Sequence, residues 1–213
     1  MPRLRQVSRA DAPPDVTAAY DRLFPGRDPV AEPGTATGTP GNWWTVFALV
    51  PEVLAHAQAG FALFNSKSRA LAPYQREIAL VRAGFAGESQ FVFSQHCKAA
   101  RHAGVPDEKV RDIPSWSTSP AFDDADRAIL AYTDAIVSNH GRVPEATFEA
   151  LRAVLSDEAV LELTYAVATY GMHATICRAL RLEYDDIPER IVEIAAPEGT
   201  AASDIMGQIS RDR

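Results

Sequence analysis

The sequence predicts an all-α fold, and three observations support that prediction. Apolar residues recur at helical spacing along most of the 213-residue chain, and strand signals are scarce. The chain contains no internal repeat, and it shows no alternation of strands with helices. We expect a single domain over residues 1–213, because this length suits one substantial core and would crowd two.

The first third of the chain contains three predicted helices and one long loop. The first helix covers residues 13–23 and is closed by a Pro-Gly pair. Residues 28–41 are rich in Pro, Gly, Thr and Ala, and this composition predicts a loop. Asn42 is the expected N-cap of the second helix, and Pro51 opens the third.

The middle of the chain is predicted to form a central antiparallel helix hairpin. Pro73 suits the first position of a helix that continues to Ala86. A short turn begins at Gly87, and Ser89 is the expected N-cap of a second helix that ends at Ala103 before a glycine. These two helices carry the residues that matter most for function.

Four more helices and a tail complete the prediction. They cover residues 106–113, 123–140 and 144–155, and a last long helix is capped by Ser156. The last helix is apolar almost all round from Val160 to Ile176, which predicts a buried, central position. The tail, residues 189–213, is expected to fray or to dock on a neighbour.

Composition excludes several classes of function. A net charge of −7 and a pI near 5.2 argue against nucleic-acid binding, which needs clustered Lys and Arg. No uninterrupted apolar run is long enough to span a membrane, and Met1–Arg5 lacks the apolar stretch of a signal peptide, so we expect a cytoplasmic protein. Cys97 and Cys177 lack CxxC spacing, and we expect both to be free, buried and inert thiols.

Glu77 and His96 are the candidate catalytic pair, because both ionisable side chains are predicted to point inward. Glu77 lies within the apolar stripe of its helix, and His96 shares a face with apolar residues of the next helix. Arg76 and Arg82 are expected at the surface, and Lys98 is expected to point away from the face of His96.

The two side chains also lie at similar heights along the hairpin. Glu77 and His96 are roughly 15 Å and 11 Å from the turn at 1.5 Å rise per residue. Burial would raise the pKa of the carboxyl group, and a nearby imidazole can hydrogen-bond to it, an arrangement suited to proton relay. An ordinary buried pair that fixes the hairpin explains the same pattern equally well.

Several motifs resemble the carboxymuconolactone decarboxylase family. They are Arg76–Arg82 (REIALVR), His96–Gly104 (HCKAARHAG) and Pro106–Val110 (PDEKV), with weaker likeness at the tryptophan-containing segment and in the last helices. The similarity covers about residues 12–185. It implies a helical domain of the alkyl hydroperoxide reductase D (AhpD) type with orthogonally packed helices, a small-molecule substrate and a homo-oligomer (dimer, trimer or hexamer).

The AhpD branch of this superfamily has a glutamate, then Cys-x-x-Cys, then a histidine. By spacing, these positions fall on Glu77, Ser89, Val92 and His96, so both thiols are absent here. Hydroperoxide reduction needs a thiolate and a resolving partner, so we do not expect a thiol peroxidase. Cys97 is next to His96, but one residue along a helix points roughly 100° away.

The decarboxylase branch also lacks the cysteines, and similarity to it implies acid–base chemistry without a cofactor. His96 would then move a proton to or from a carbon beside a carbonyl, with Glu77 as its partner, in a lyase or isomerase. Two alternatives stay open. One is a divergent antioxidant protein of the AhpD type, and the other is a non-catalytic member that binds a metabolite or a partner.

Six weaker candidates could line a substrate pocket. Tyr74 is one turn before Glu77 and could donate a hydroxyl, and Ser89 and Phe93 adjoin the pair, Phe93 standing where relatives usually have Trp. The remaining candidates are Trp43, Trp44 and His173, for which core packing is the ordinary explanation. We reject a metal site formed by Glu77, His96 and His173, because no H-x-x-H or H-x-x-x-H spacing supports it. Neither a metal nor another cofactor is therefore expected.

Overall fold

A computed structural model describes residues 1–64, 66, 68–185 and 191–199, and every regular element among them is helical. The predicted all-α fold is therefore confirmed. The α-helices in this part of the chain are α1 Pro14–Leu23, α2 Asn42–Phe47, α3 Pro51–Phe64, α4 Pro73–Ala86, α5 Gln90–His102, α6 Asp107–Asp112, α7 Asp124–Ser138, α8 Glu145–Arg152 and α9 Asp157–Leu180. A 3₁₀ turn, Ile113–Ser115, follows α6.

The sequence predicts no helix in the loop, residues 28–41, or in the tail, residues 189–213. Residues 28–41 contain turns and bends and no helix. The predicted tail, 189–213, falls largely outside the described residues, and its described part, 191–199, has no helix.

The chain divides into two compact units. One contains Met1–Ser66, Ile176–Glu189 and Ile194–Arg213, and the other contains Lys67–Thr175 and Arg190–Glu193. The first unit therefore holds α1 to α3, the second holds α4 to α8, and α9 contributes residues to both.

In the first unit, a buried carboxylate organises the start of α2. Glu183 accepts hydrogen bonds from the backbone N–H groups of Gly41 (2.9 Å) and Trp43 (2.7 Å). The prediction that Asn42 is the N-cap is wrong, because Gly41 holds that position in a left-handed conformation (φ 86°). The side chain of Asn42 instead accepts the backbone N–H of Glu183 at 2.5 Å. This cap comes from 140 residues away in sequence, where no local pattern reveals it.

In the second unit, α4 and α5 form the predicted antiparallel hairpin. Ser89 caps α5 as predicted, since its Oγ accepts the backbone N–H of Val92 at 3.2 Å. Gly84 allows the two helices to approach closely. A Cβ atom at this position would lie 2.4 Å from the backbone nitrogen of Phe93. The function of Gly84 is therefore close packing of the two helices.

Helix α9 has one buried face and one exposed face. Leu163, Val167 and Tyr170 are buried, whereas Leu161 is 70%, Tyr165 51% and Met172 46% exposed. The prediction of burial all round is therefore wrong. An all-apolar composition does not show on which side a helix has neighbours. In the described part of the chain, no helix is both long enough and apolar enough to cross a membrane.

Candidate functional site

Glu77 and His96 meet inside the second unit. Nδ1 of His96 lies 2.8 Å from Oε2 of Glu77, and both side chains are buried. Helix α4 supplies the carboxylate and helix α5 supplies the imidazole, at the matched heights that the sequence predicts. The hairpin thus brings two ionisable groups into direct contact away from bulk water.

Arg76 is a third member of this site, and the prediction that it lies at the surface is wrong. Its Nε donates a hydrogen bond to Oε1 of Glu77 at 2.8 Å, and its side chain is only 12% exposed. The long arginine side chain reaches the carboxylate of its own neighbour, and helical spacing alone does not anticipate this contact. Arg82 is also held inside the protein, where it pairs with Asp134 at 2.5 Å.

The carboxylate of Glu77 is held in its ionised form. Burial raises its pKa, but the charges and hydrogen bonds of His96 and Arg76 outweigh burial, and the pKa of Glu77 is lowered overall. The expected rise in this pKa is therefore wrong, because His96 and, to a smaller extent, Arg76 favour the ionised form more than burial opposes it. Glu77 accepts hydrogen bonds and is poorly suited to carry a proton near neutral pH.

An ionised Glu77 also determines which nitrogen of His96 carries a proton. A carboxylate can only accept, so Nδ1 of His96 must donate to Oε2. In the neutral imidazole, Nε2 then holds the lone pair, as when a carboxylate fixes the tautomer of a catalytic histidine. The arrangement makes Nε2 a proton acceptor, with a negative charge on the far side of the ring.

Helix α9 contributes Tyr170 to the surroundings of His96. The rings of Tyr170 and His96 meet edge to face, with centroids 4.3 Å apart and an interplanar angle of 88°. Sequence reasoning missed Tyr170, although it lies one turn from His173 on the predicted buried helix. His173 is buried, and its ring centroid lies 6.2 Å from that of Tyr170. Among the described residues, no three His, Cys, Asp or Glu side chains cluster in a way that could hold a metal.

The hydroxyl of Tyr74 belongs to a polar cluster between α4, α6 and α7. Lys109 Nζ donates to the Tyr74 hydroxyl at 2.9 Å and also bonds the carboxylate of Asp126. Burial raises the pKa of Tyr74. This cluster joins three helices, and the suggested function of Tyr74 as a hydroxyl donor to substrate stays a prediction.

Ser89, Val92 and Phe93 are all buried at the start of α5. Ser89 serves as the cap, and the ring of Phe93 lies 5.8 Å from that of Phe85. Lys98 is also buried, and its Nζ donates to the Oγ and the carbonyl oxygen of Ser94, both at 3.0 Å. Burial lowers the pKa of Lys98.

The two cysteines are free and buried, as predicted. Burial, assisted by the negative charge of Glu193, raises the pKa of Cys97 to about 12. Burial raises the pKa of Cys177 as well. Both groups therefore stay protonated at neutral pH, which agrees with the expectation of inert thiols.

Trp43 and Trp44 lie in the first unit and form an aromatic cluster there. Their ring centroids are 4.7 Å apart, and Trp43 also stacks on Phe47 at 3.9 Å and contacts Phe61 at 5.7 Å. This packing accounts for their burial, and their suggested place in the wall of a substrate pocket stays a prediction.

Comparisons with known proteins bear on the family and the fold of this chain. The sequence model of the carboxymuconolactone decarboxylase family matches residues 51–135, which include Glu77 and His96. No curated protein matches this sequence.

Three solved structures resemble the chain. The first is a protein of unknown function from Agrobacterium tumefaciens, for which an AhpD-type antioxidant defence function has been suggested (24% identity, 69% of this chain and 96% of that chain covered, TM-score 0.55). The second is a cysteine-to-alanine variant of the debrominase Bmp8 with bound 2,3,4-tribromopyrrole (20%, 85% and 92%, TM-score 0.63). The third is an uncharacterised peroxidase-related protein with an AhpD core from Ralstonia eutropha (17%, 86% and 95%, TM-score 0.64). Residues 51–135 therefore match the carboxymuconolactone decarboxylase family, as the motifs predict, and the chain has an AhpD-like fold.

Proposed function

We propose that this protein is a cofactor-independent acid–base enzyme, a lyase or isomerase (including decarboxylases), that acts on a small carbonyl or carboxylate compound. The observation that carries the proposal is the 2.8 Å contact between Nδ1 of His96 and Oε2 of Glu77. This contact leaves Nε2 of His96 to accept or return a proton, which is the task of a general base or acid.

The proposed reaction begins with His96. Its Nε2 removes a proton from a carbon beside a carbonyl, and the electron pair of that C–H bond moves onto the carbonyl oxygen as an enolate. The imidazolium that forms is stabilised by the carboxylate of Glu77, which itself keeps no proton. In an isomerase the proton returns to a different carbon. In a decarboxylase the order differs: the C–C bond to the carboxylate breaks, CO₂ departs, and the electron pair of that bond moves onto the carbonyl oxygen as an enolate. Protonated His96 then gives its proton to carbon and regains one from solvent.

Glu77 and Arg76 act as positioning residues in this proposal. Glu77 orients the imidazole, and Arg76 helps His96 to keep Glu77 ionised through the 2.8 Å hydrogen bond of its Nε. The negative charge of Glu77 is then in place before the proton moves, so the surrounding groups need little reorganisation during the reaction.

The comparisons support a small substrate. The family that matches residues 51–135 is named for a lactone decarboxylase, and a debrominase of similar fold binds a small halogenated ring. A thiol peroxidase is less well supported, because it needs a reactive thiolate and burial raises the pKa of Cys97 to about 12. We also propose that the protein works in the cytoplasm and, from the family likeness, that it is a homo-oligomer.

A carbon–hydrogen exchange assay tests the proposal without knowledge of the natural substrate. A panel of 2-oxo acids, 3-oxo acids and unsaturated lactone acids is incubated with the enzyme in D₂O. NMR then follows deuterium entry at carbon and loss of the carboxyl group. We expect His96→Ala to abolish enzyme-dependent exchange and added imidazole to restore part of it.

Two variants complete the assay. Glu77→Gln should reduce exchange, since proton transfer by a correctly placed group contributes roughly 10²–10⁴-fold to a rate. His102→Ala is the matched control, because His102 is an exposed histidine on the same helix and should leave the rate unchanged. Full activity of a folded His96→Ala variant on a confirmed substrate would refute the proposal.

A further inference from the structure

The exposed face of α9 consists of uncharged side chains. Between Leu161 and Thr175, the exposed residues are Leu161, Tyr165, Ala168, Met172 and Thr175. They extend over about 21 Å of helix at 1.5 Å per residue. The three largest of them are 70%, 51% and 46% exposed, at Leu161, Tyr165 and Met172 respectively. Large apolar side chains in one row mark a surface that other groups tend to cover.

The spacing of these residues indicates which structure would cover them. They follow one another at intervals of four, three, four and three residues. This is the a/d spacing with which one helix packs side chains into the gaps of another helix. The face lies opposite the side of α9 that holds Tyr170 and His173, so a helix could pack there without touching the inner face.

The charges at the two ends of α9 indicate the direction of the second helix. Acidic Asp157 and Glu158 occupy the first turn, and basic Arg178 occupies the last. A parallel copy would place equal charges together at both ends. An antiparallel copy places the acidic turn of each helix beside the basic turn of the other, and it also opposes the two helix dipoles.

We propose that a second copy of this chain packs antiparallel against α9, around a twofold axis near Ala168. The small side chain of Ala168 lets the two helices approach closely at the axis. Leu161 of one copy then lies beside Thr175 of the other, and Glu158 lies beside Arg178 of the other. Such an interface uses the same patch on both copies, as twofold dimers require. The proposal rests on the homo-oligomer proposed above and names its surface, and it does not depend on the proposed chemistry of His96.

Cysteine cross-linking tests the direction of packing. Ala168→Cys should form a disulfide-linked dimer under mild oxidation, because this position meets its own copy at the axis. Leu161→Cys should not cross-link alone, whereas the double variant with Thr175→Cys should. The unmodified chain is the control, because Cys97 and Cys177 are buried. Efficient cross-linking of Leu161→Cys alone would show a parallel arrangement and overturn the proposal.

Light scattering coupled to size-exclusion chromatography tests the association itself. Leu161→Glu and Met172→Glu should each halve the molar mass measured at micromolar concentration, with unchanged circular dichroism. Val53→Glu is the matched control, since Val53 is 49% exposed on α3 and should not alter the mass. A monomeric unmodified protein would assign this face to some other partner and refute the proposal.

A charge exchange tests the ends of the helix. Glu158→Arg and Arg178→Glu should each weaken the dimer, because each places like charges together. The double variant should restore association, since opposite charges then face each other again. Failure of the double variant to recover, when both single variants dissociate, would contradict the antiparallel register.

Discussion

Nε of Arg76 donates a hydrogen bond to Oε1 of Glu77 over 2.8 Å, so neighbours in sequence form an ion pair inside the protein. The second oxygen of the same carboxylate faces Nδ1 of His96 at 2.8 Å. Glu77 therefore lies between two groups that can carry positive charge. This placement, with burial opposing it, accounts for the lowered pKa of Glu77.

Glu77→Gln should lower stability at neutral pH and much less in acid. The pKa of Glu77 is lower in the folded protein than its ordinary value of 4.5. Its contribution to the free energy of unfolding is therefore fully present above pH 4.5. That contribution is lost as pH falls through the lower pKa that Glu77 has in the folded protein. Removing one partner of a buried pair costs about 3–5 kcal/mol. Urea unfolding from about pH 7 to about pH 3 should show the two proteins converging, whereas exposed Glu108→Gln should track the unmodified protein.

The neutral form of His96 should carry its proton on Nδ1. The ionised Glu77 accepts at this nitrogen, so the lone pair is left on Nε2. Long-range ¹H–¹⁵N correlation spectra distinguish the two tautomers. We expect the Nδ1–H form in the unmodified protein and its loss in Glu77→Leu. An Nε2–H signal in the unmodified protein would remove the basis for Nε2 as general base.

Gly84→Ala should destabilise the α4–α5 hairpin. The added Cβ would lie 2.4 Å from the nitrogen and 2.7 Å from the Cα of Phe93, both backbone atoms that cannot move aside easily. Overpacking of this kind costs about 1–3 kcal/mol. Gly60→Ala is the control, since nothing lies within 4 Å of a Cβ at that helical position. Chemical unfolding should show Gly60→Ala to be neutral or stabilising, and equal effects of the two would contradict the close contact.

Local signals predict the helices well because caps and breakers act within a few residues. Pro73 begins α4 and Ser89 caps α5, as the sequence predicts. The contact of Glu77 with His96 is also predictable, since both lie on inward faces of one short hairpin. The decarboxylase-like motifs lead to the same pair.

Other features need contacts that a single sequence does not reveal. Which face of α9 is exposed depends on the side against which the other helices pack. The burial of Arg76 depends on the conformation of a long, flexible side chain. The pKa of Glu77 is lowered by His96 and, to a smaller extent, by Arg76, so its direction cannot be derived from burial alone. The burial of Lys98 is another such feature, because Ser94 on the same helix satisfies the buried amine.

Cys97 and Cys177 should resist thiol reagents in the folded protein. Burial raises the pKa of Cys97 to about 12, so almost no thiolate exists near neutral pH. Labelling with an aromatic disulfide reagent should be at least about a hundredfold slower than in the unfolded chain. Ser117→Cys is an exposed control that should react at once. Rapid labelling of one native thiol would reopen the thiol-based alternative.

Glu183 should make stability fall as pH rises, the opposite of Glu77. Burial raises its pKa from 4.5 to about 7, although the N–H groups of Trp43 and Gly41 oppose this rise. Its stabilising contribution is therefore complete below pH 4.5 and is lost as pH rises to about 7, by roughly 3 kcal/mol.

Glu183→Gln tests this sign, because glutamine imitates the neutral acid at every pH. The unfolding free energy of the unmodified protein should fall relative to that of the variant between pH 4.5 and about pH 7. Glu52→Gln, an exposed position on α3, should leave the pH dependence unchanged. A relative gain in stability over this range would instead show that the two backbone N–H groups hold the carboxylate ionised, with its pKa lowered.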